Sequence, residues 1–361
     1  MNPTQALHEA GQSIWLDNIT RALLDEHTLD RYIAEYSVTG LTSNPTIFDK
    51  SIEGGHDYDA DIAARKTAGA SDEDVFFELA MADLRRAADL FAPVHDQTDG
   101  VDGWVSLEVS PLLAHDTAST IDEAKALHRK AARGNLFIKI PGTPEGLQAI
   151  EECIYAGVPV NVTLLFSADQ YQAAAEAYLR GVIRRIAAGL DPAVESLASL
   201  FVSRWDKAVA GQVPEDLRDR LGISVARQVY RVYRELLDSA RWERLANEGA
   251  RPQRLLWAST SVKDPEPPDV LYVGALAAPF TIDTMPDKTL EAFADHGKVG
   301  EMLPADGGDS EEVIAAFLKA GIDTRSLAGT LQHDGADAFV TSWKNLLGRI
   351  GSRHKQLSGA I

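Results

Sequence analysis

The stretch LFIKIPGTPEGLQAIEECIYAGVPVNVTL, residues 136–164, decides the fold. It opens on a short apolar run, Leu136–Ile140, rich in β-branched and aromatic residues, which reads as a strand. Thr143-Pro144 then puts proline in the first turn of a helix running toward Ala156, and Gly157 follows where a left-handed residue ends it. Pro159–Leu164 is a second short apolar run. A strand, a helix and another strand in so little chain form a crossover unit, and crossovers join parallel strands.

The same alternation extends in both directions. Further strand candidates are Ser13–Asp17, Gly40–Ser43, Trp104–Val109, Leu200–Ser203 and Leu255–Ser259, with Phe280–Thr284 as the eighth and LYVGAL (271–276) as its rival. Ser119-Thr-Ile-Asp122 reads as a capping box opening a helix to about Arg133, with Gly134 behind it, and Ser167 caps a helix that stops at Gly189. Eight strand–helix units predict an α/β protein, a single closed (β/α)8 TIM barrel with additional helices. The runner-up is an open doubly wound sheet, but no GxGxxG or GxxxxGK[ST] follows any strand, so the usual nucleotide-binding signature of that architecture is missing. Helical insertions are expected at about 50–100, including a helix around 72–91, and at about 206–250, where two helices fit; residues from about Asp309 onward read as helical. The whole span 1–361 reads as one barrel domain.

The 361 residues carry 35 Lys+Arg against 54 Asp+Glu, a net charge of −19. Such a chain has no long-range field to attract polyanions, which argues against nucleic acid or an anionic membrane as partner. The lone Cys153 excludes an intramolecular disulfide. The start, MNPTQALHEAGQSIW, lacks the basic and apolar regions of a secretion signal, and no run reaches 18 apolar residues, so a cytoplasmic location is expected. Oligomeric state, monomer or homodimer, is not legible. The nine histidines include no HExxH and no pair at helical i,i+4 spacing, which speaks against a zinc enzyme. His115 reads as a loop or capping residue, and Ser43, Ser110 and Ser203 lack the GxSxG context of a serine hydrolase.

The polar residues at the C-terminal ends of the strands carry the chemistry: Asp17, Asn44, Glu108, Lys139, Asn161 with Thr163, Arg204 and Ser259. In a barrel these ends converge on one mouth. Lys139, flanked by Ile138 and Ile140, is the sharpest case. A poorly solvated lysine favours the neutral amine, the nucleophile of Schiff-base chemistry; the alternative is a structural ion pair with a carboxylate. Asp17 and Glu108 suit the proton transfers of imine formation and carbon–carbon cleavage, and they equally suit salt bridges to Lys139 or Arg204.

The segments WLDN (15–18), GLTSNPTIF (40–48), SLEVSP (106–111), FIKIPGT (137–143), NVTLLFS (161–167), SLFVSRWD (199–206), WAST (257–260) and TIDTMP (281–286) together resemble the transaldolases, in particular their bacterial subgroup with longer loops. The resemblance implies that Lys139 forms the Schiff base, that Asp17 handles the proton of the substrate C4 hydroxyl, and that Glu108 acts through a water held with Thr163. It implies that Asn44, Asn161 and Ser199 hold hydroxyls of a dihydroxyacetone unit and that Arg204, helped by Ser259, binds a phosphate. Relatives often carry an arginine shortly after the seventh strand; here ASTSVKDP offers Lys263 instead. Sugar phosphates are the implied substrates of this pentose phosphate pathway transferase, and no cofactor or metal is called for.

Overall fold

The computed structural model describes residues 2–262 and 267–359. Eight strands pair in chain order, all in parallel: β1 (Ser13–Leu16), β2 (Val38–Leu41), β3 (Trp104–Glu108), β4 (Leu136–Pro141), β5 (Val160–Leu165), β6 (Ser196–Phe201), β7 (Gln253–Ala258) and β8 (Thr281–Met285). β1 also pairs with β8, Ser13 opposite Ile282 and Leu16 opposite Met285. The sheet is therefore a closed (β/α)8 barrel, and the open-sheet alternative falls. Every strand residue is buried, as the near-continuous apolar runs of a parallel sheet require.

Several local expectations hold in detail. Thr143 Oγ1 accepts from the Gly146 amide to cap the helix Pro144–Tyr155, and Gly157 follows with φ +81°. Ser167 caps the helix Ala168–Ala187, and Gly189 takes φ +68° beyond its end. Other elements shift. Asp116, not Ser119, caps the helix Thr117–Ala131; its carboxylate accepts from the Ser119 amide, a stronger acceptor than a hydroxyl, and Ala132 rather than Gly134 adopts the left-handed end conformation. β2 ends at Leu41 because the chain already turns into the cap of the helix Pro45–Gly54, made by Asn44. β6 begins four residues before the expected Leu200, its small residues Ser196, Ala198 and Ser199 lacking the apolar signature of a strand. LYVGAL forms the short helix Leu271–Ala275, leaving β8 at Thr281–Met285.

The first insertion holds three helices, Pro45–Gly54, Asp59–Thr67 and Asp72–Gln97, the last of them the helix expected around 72–91. The second holds Ser203–Val209, Leu221–Leu237 and Ala240–Asn247. Beyond β8 run Asp287–His296, Ser310–Lys319 and the long terminal helix Thr324–Gly359. Among the described residues no helix is long and apolar enough to cross a membrane.

The two barrel ends differ in kind. At the N-terminal end Arg254 of β7 donates to the Val101 carbonyl (2.8 Å), to Ser13 Oγ (2.6 Å) and to the Thr281 carbonyl (3.3 Å). Its guanidinium lies 3.7 Å from Asp102, which also accepts from Ser13 Oγ and from Trp15 Nε1 (2.7 Å). This buried plug ties β1, β7 and β8 to the loop before β3. The C-terminal end is a mouth, roofed by the terminal helix.

Candidate active site

Register places the central groups. In the parallel ladders Glu108 stands opposite Lys139 and Lys139 opposite Asn161, while Pro141 stands opposite Thr163. Glu108, Lys139 and Asn161 thus form one row around the barrel wall, with Thr163 a layer closer to the mouth. β5 is irregular there: its register against β6 shifts between Val162 and Leu165, and Leu164 is left-handed with φ +60°. A non-glycine residue in that region costs about 1–3 kcal/mol, and such strain persists where surrounding structure fixes it.

Lys139 is 5% exposed. Its Nζ donates to the Ser43 carbonyl (3.3 Å), stands 3.5 Å from Glu108 Oε2, and lies 5.9 Å from the centre of the Phe339 ring. Burial pushes the Glu108 carboxyl above its ordinary range, and the Lys139 charge beside it offsets only part of that effect. Both Glu108 carboxylate oxygens and Thr163 Oγ1 are buried without a hydrogen bond to a described residue, so all three retain capacity to exchange protons or hold a bridging group.

On the opposite wall Asp17 accepts from Thr42 Oγ1 (2.8 Å), which in turn lies 2.8 Å from Thr284 Oγ1. Asp17, Asn44, Lys139, Thr163, Ser199, Arg204 and Ser259 all line one cavity of about 330 Å³. Asn44 spends its side-chain oxygen capping the helix Pro45–Gly54 through the Ile47 amide (3.2 Å), which aims the residue at the mouth. Asn161 is fully buried beneath the cavity; it accepts from Ser199 Oγ (2.7 Å) and donates to Ser106 Oγ (3.2 Å), so it holds Ser199 in place from below. Glu108 likewise sits behind Lys139, not on the lining. Lys263 lies outside the described residues.

Arg204 stands just past β6, its guanidinium 5.1 Å from the Phe201 ring centre. Among the described residues no carboxylate pairs with it. Burial alone lowers its pKa, yet an arginine remains cationic at any physiological pH. A half-buried guanidinium on a cavity wall, without a carboxylate partner among the described residues, has the chemistry to receive an anion. Ser259, left-handed at φ +57°, shares a hydrogen bond with Ser203 (2.9 Å) beside it.

Sequence reasoning missed Thr42, Thr284, Lys50 and Phe339, which line the same cavity. The two threonines lie at strand ends and satisfy the criterion that found the others. Lys50 belongs to the helix that Asn44 caps. Phe339 has no sequence signal, since only the tertiary fold carries the terminal helix to the mouth. None of the histidines lines the cavity; His115 is an exposed partner of Glu145 (3.2 Å).

A parallel barrel whose C-terminal mouth presents a buried lysine beside one carboxylate and across from another defines a class, the lysine-dependent enzymes that bind carbonyl substrates as imines. The comparison with known families is narrower. Residues 14–350 match the family described as transaldolase/fructose-6-phosphate aldolase, and the chain belongs to that family. Proteins named transaldolase are similar over their whole length: that of Arthrobacter sp. (strain FB24) is 46% identical across 96% of both chains, that of Thermobifida fusca (strain YX) 44% identical across 98% of both. That of Thiobacillus denitrificans (strain ATCC 25259 / T1) is 42% identical across 97% of this chain and all of its own.

Proposed function

We propose that this chain is a transaldolase, moving a dihydroxyacetone unit from sedoheptulose 7-phosphate to glyceraldehyde 3-phosphate to give erythrose 4-phosphate and fructose 6-phosphate. The observation that carries the reading is Lys139, buried in a row with Glu108 and facing the same cavity as Asp17.

The Lys139 amine adds to the ketose C2, and loss of water gives an iminium. Glu108, at 3.5 Å from the amine and with Thr163 close by in the ladder, supplies and removes the protons of that dehydration; its raised pKa suits a group that must switch between acid and base. Asp17 takes the C4 hydroxyl proton, the C3–C4 bond breaks, and its electron pair flows into the iminium to leave an enamine on Lys139. The aldehyde product departs, the acceptor aldehyde enters, and the enamine carbon adds to it as Asp17 returns the proton. Hydrolysis of the new iminium releases the product ketose, fructose 6-phosphate. Ser199 and Asn44 hold hydroxyls of the retained fragment, Asn161 fixes Ser199 from below, and Arg204, with Ser259 and Lys50 on the same cavity wall, receives the phosphate. The whole chain works as one barrel domain on small sugar phosphates in the cytoplasm, and neither nucleic acid nor membrane is a partner suited to so acidic a molecule.

Borohydride reduction in the presence of fructose 6-phosphate, followed by peptide mapping, tests the assignment. The expected result is a three-carbon adduct on the peptide carrying Lys139, absent in Lys139→Ala. An adduct on another lysine, or multiple turnovers of fructose 6-phosphate without an acceptor aldehyde, overturns it; the second outcome describes an aldolase that releases dihydroxyacetone.

A further inference from the structure

We propose that Phe339 decides between transfer and release: its ring covers the Lys139 amine and keeps water from the three-carbon enamine until the acceptor arrives. The inference rests on the transaldolase reading and deepens it.

Phe339 is the terminal helix's one contribution to the cavity lining among the described residues. Its ring is 7% exposed and centred 5.9 Å from Lys139 Nζ, so it roofs the reacting atom from the solvent side of the barrel. The barrel walls below present the carboxylate of Asp17 and the hydroxyls of Thr42, Thr163, Ser199 and Thr284, beside the apolar Phe201, Leu256 and Ala258. An apolar ring above walls that carry hydroxyls lets the substrate hydroxyls bind while leaving water above the amine without hydrogen-bond partners.

The roof is held in place along its length. Gln332, two turns before Phe339, donates to the carbonyls of Gly142 (3.0 Å) and Leu164 (2.9 Å), gripping the ends of β4 and β5, the strands that carry Lys139 and Thr163. At Gly335 the helix approaches so closely that an added Cβ would stand 3.0 Å from Leu164 Cδ2 and 3.3 Å from Arg204 Nη1. Thr46 bonds Ser342 (2.9 Å), and Arg349 pairs with Asp49 (2.6 Å) and Glu53 (2.9 Å). A residue held this rigidly excludes water continuously, where a mobile loop would do so only when closed.

The competing reaction is balanced by water alone. The enamine carbon takes a proton, giving the iminium; water adds to C2, and the carbinolamine collapses to free dihydroxyacetone and the Lys139 amine. In deuterium oxide the released dihydroxyacetone carries one carbon-bound deuterium at that carbon.

The test measures dihydroxyacetone release and transfer to erythrose 4-phosphate to give sedoheptulose 7-phosphate, both from fructose 6-phosphate, in the unaltered protein, Phe339→Leu and Phe339→Ala. The ratio of release to transfer is expected to rise on the order of tenfold or more in Phe339→Ala and less in Phe339→Leu, with the released product deuterated and the Lys139 adduct still trapped. A general loss of structure lowers both rates together and leaves their ratio unchanged. An unchanged ratio in Phe339→Leu, which keeps an apolar side chain on the helix, overturns the proposal whether or not Phe339→Ala folds. Absence of the Lys139 adduct in the unaltered protein instead overturns the transaldolase reading.

Discussion

At the scale of single residues, Arg204 and Lys139 answer different demands with the same charge. In the proposed mechanism Lys139 needs a neighbour that trades protons, and Glu108 stands 3.5 Å from it. In the proposed reading Arg204 needs a guanidinium left for the phosphate, and it rests on an aromatic ring with no carboxylate partner among the described residues. Arg204→Ala should therefore raise KM for phosphorylated substrates by roughly ten- to hundredfold, the loss of a charge-assisted bond, with a much smaller change in kcat. Steady-state kinetics with fructose 6-phosphate check this, and an unchanged KM removes Arg204 from phosphate binding. Both residues were legible from the chain, because an apolar strand interrupted by lysine and an arginine just past a strand are local patterns. Phe339 and Gln332 were not, because their roles depend on where a distant helix lands. Asn161 was legible as a site residue but not as a floor residue, since strand alternation does not reveal which layer faces the substrate.

At the scale of elements, β8 shows how a strand can satisfy the barrel at a cost. Asp283 is fully buried; Thr260 donates to one of its oxygens (2.8 Å) while the other has no hydrogen-bond partner among the described residues. Burial, opposed only by the Thr260 hydrogen bond, pushes its carboxyl up to about 7. A raised acid pKa means the folded chain holds the proton more tightly than the unfolded one. Below about 4 the group is neutral in both states; from there to about 7 stability falls with rising pH, and above that the penalty stays constant. Asp283→Asn should thus add about 2–4 kcal/mol of stability at pH 8 and little at pH 4, read from denaturant midpoints at the two values. A gain independent of pH would place the effect elsewhere. Element boundaries were legible where caps are unambiguous, as at Thr143 and Ser167. They slipped where two acceptors competed, Asp116 against Ser119, and where small residues masked the first half of β6.

At the scale of the molecule, the barrel separates what stabilises it from what reacts. The Arg254–Asp102 plug and the Lys139 mouth occupy opposite ends, so Arg254→Ala should cost about 3–5 kcal/mol by stranding a buried carboxylate, while KM and kcat of the folded fraction stay near those of the unaltered protein. Denaturation followed beside steady-state kinetics checks both halves; a loss of activity without a loss of stability would contradict the separation. The net charge of −19 belongs to the same picture: surface carboxylates beyond about 8 Å are screened at physiological salt, leaving the cavity cations to meet a phosphate.

The terminal helix also sets an order of events. The barrel closes only when β8 pairs with β1, and the roof lies further along the chain still, so both depend on contacts between distant segments, the kind that form late in folding. Until that helix docks, the Lys139 amine stands open to any aldehyde in its surroundings. A chain stalled at that stage would be an indiscriminate amine, prone to glycation by the sugars it exists to exchange.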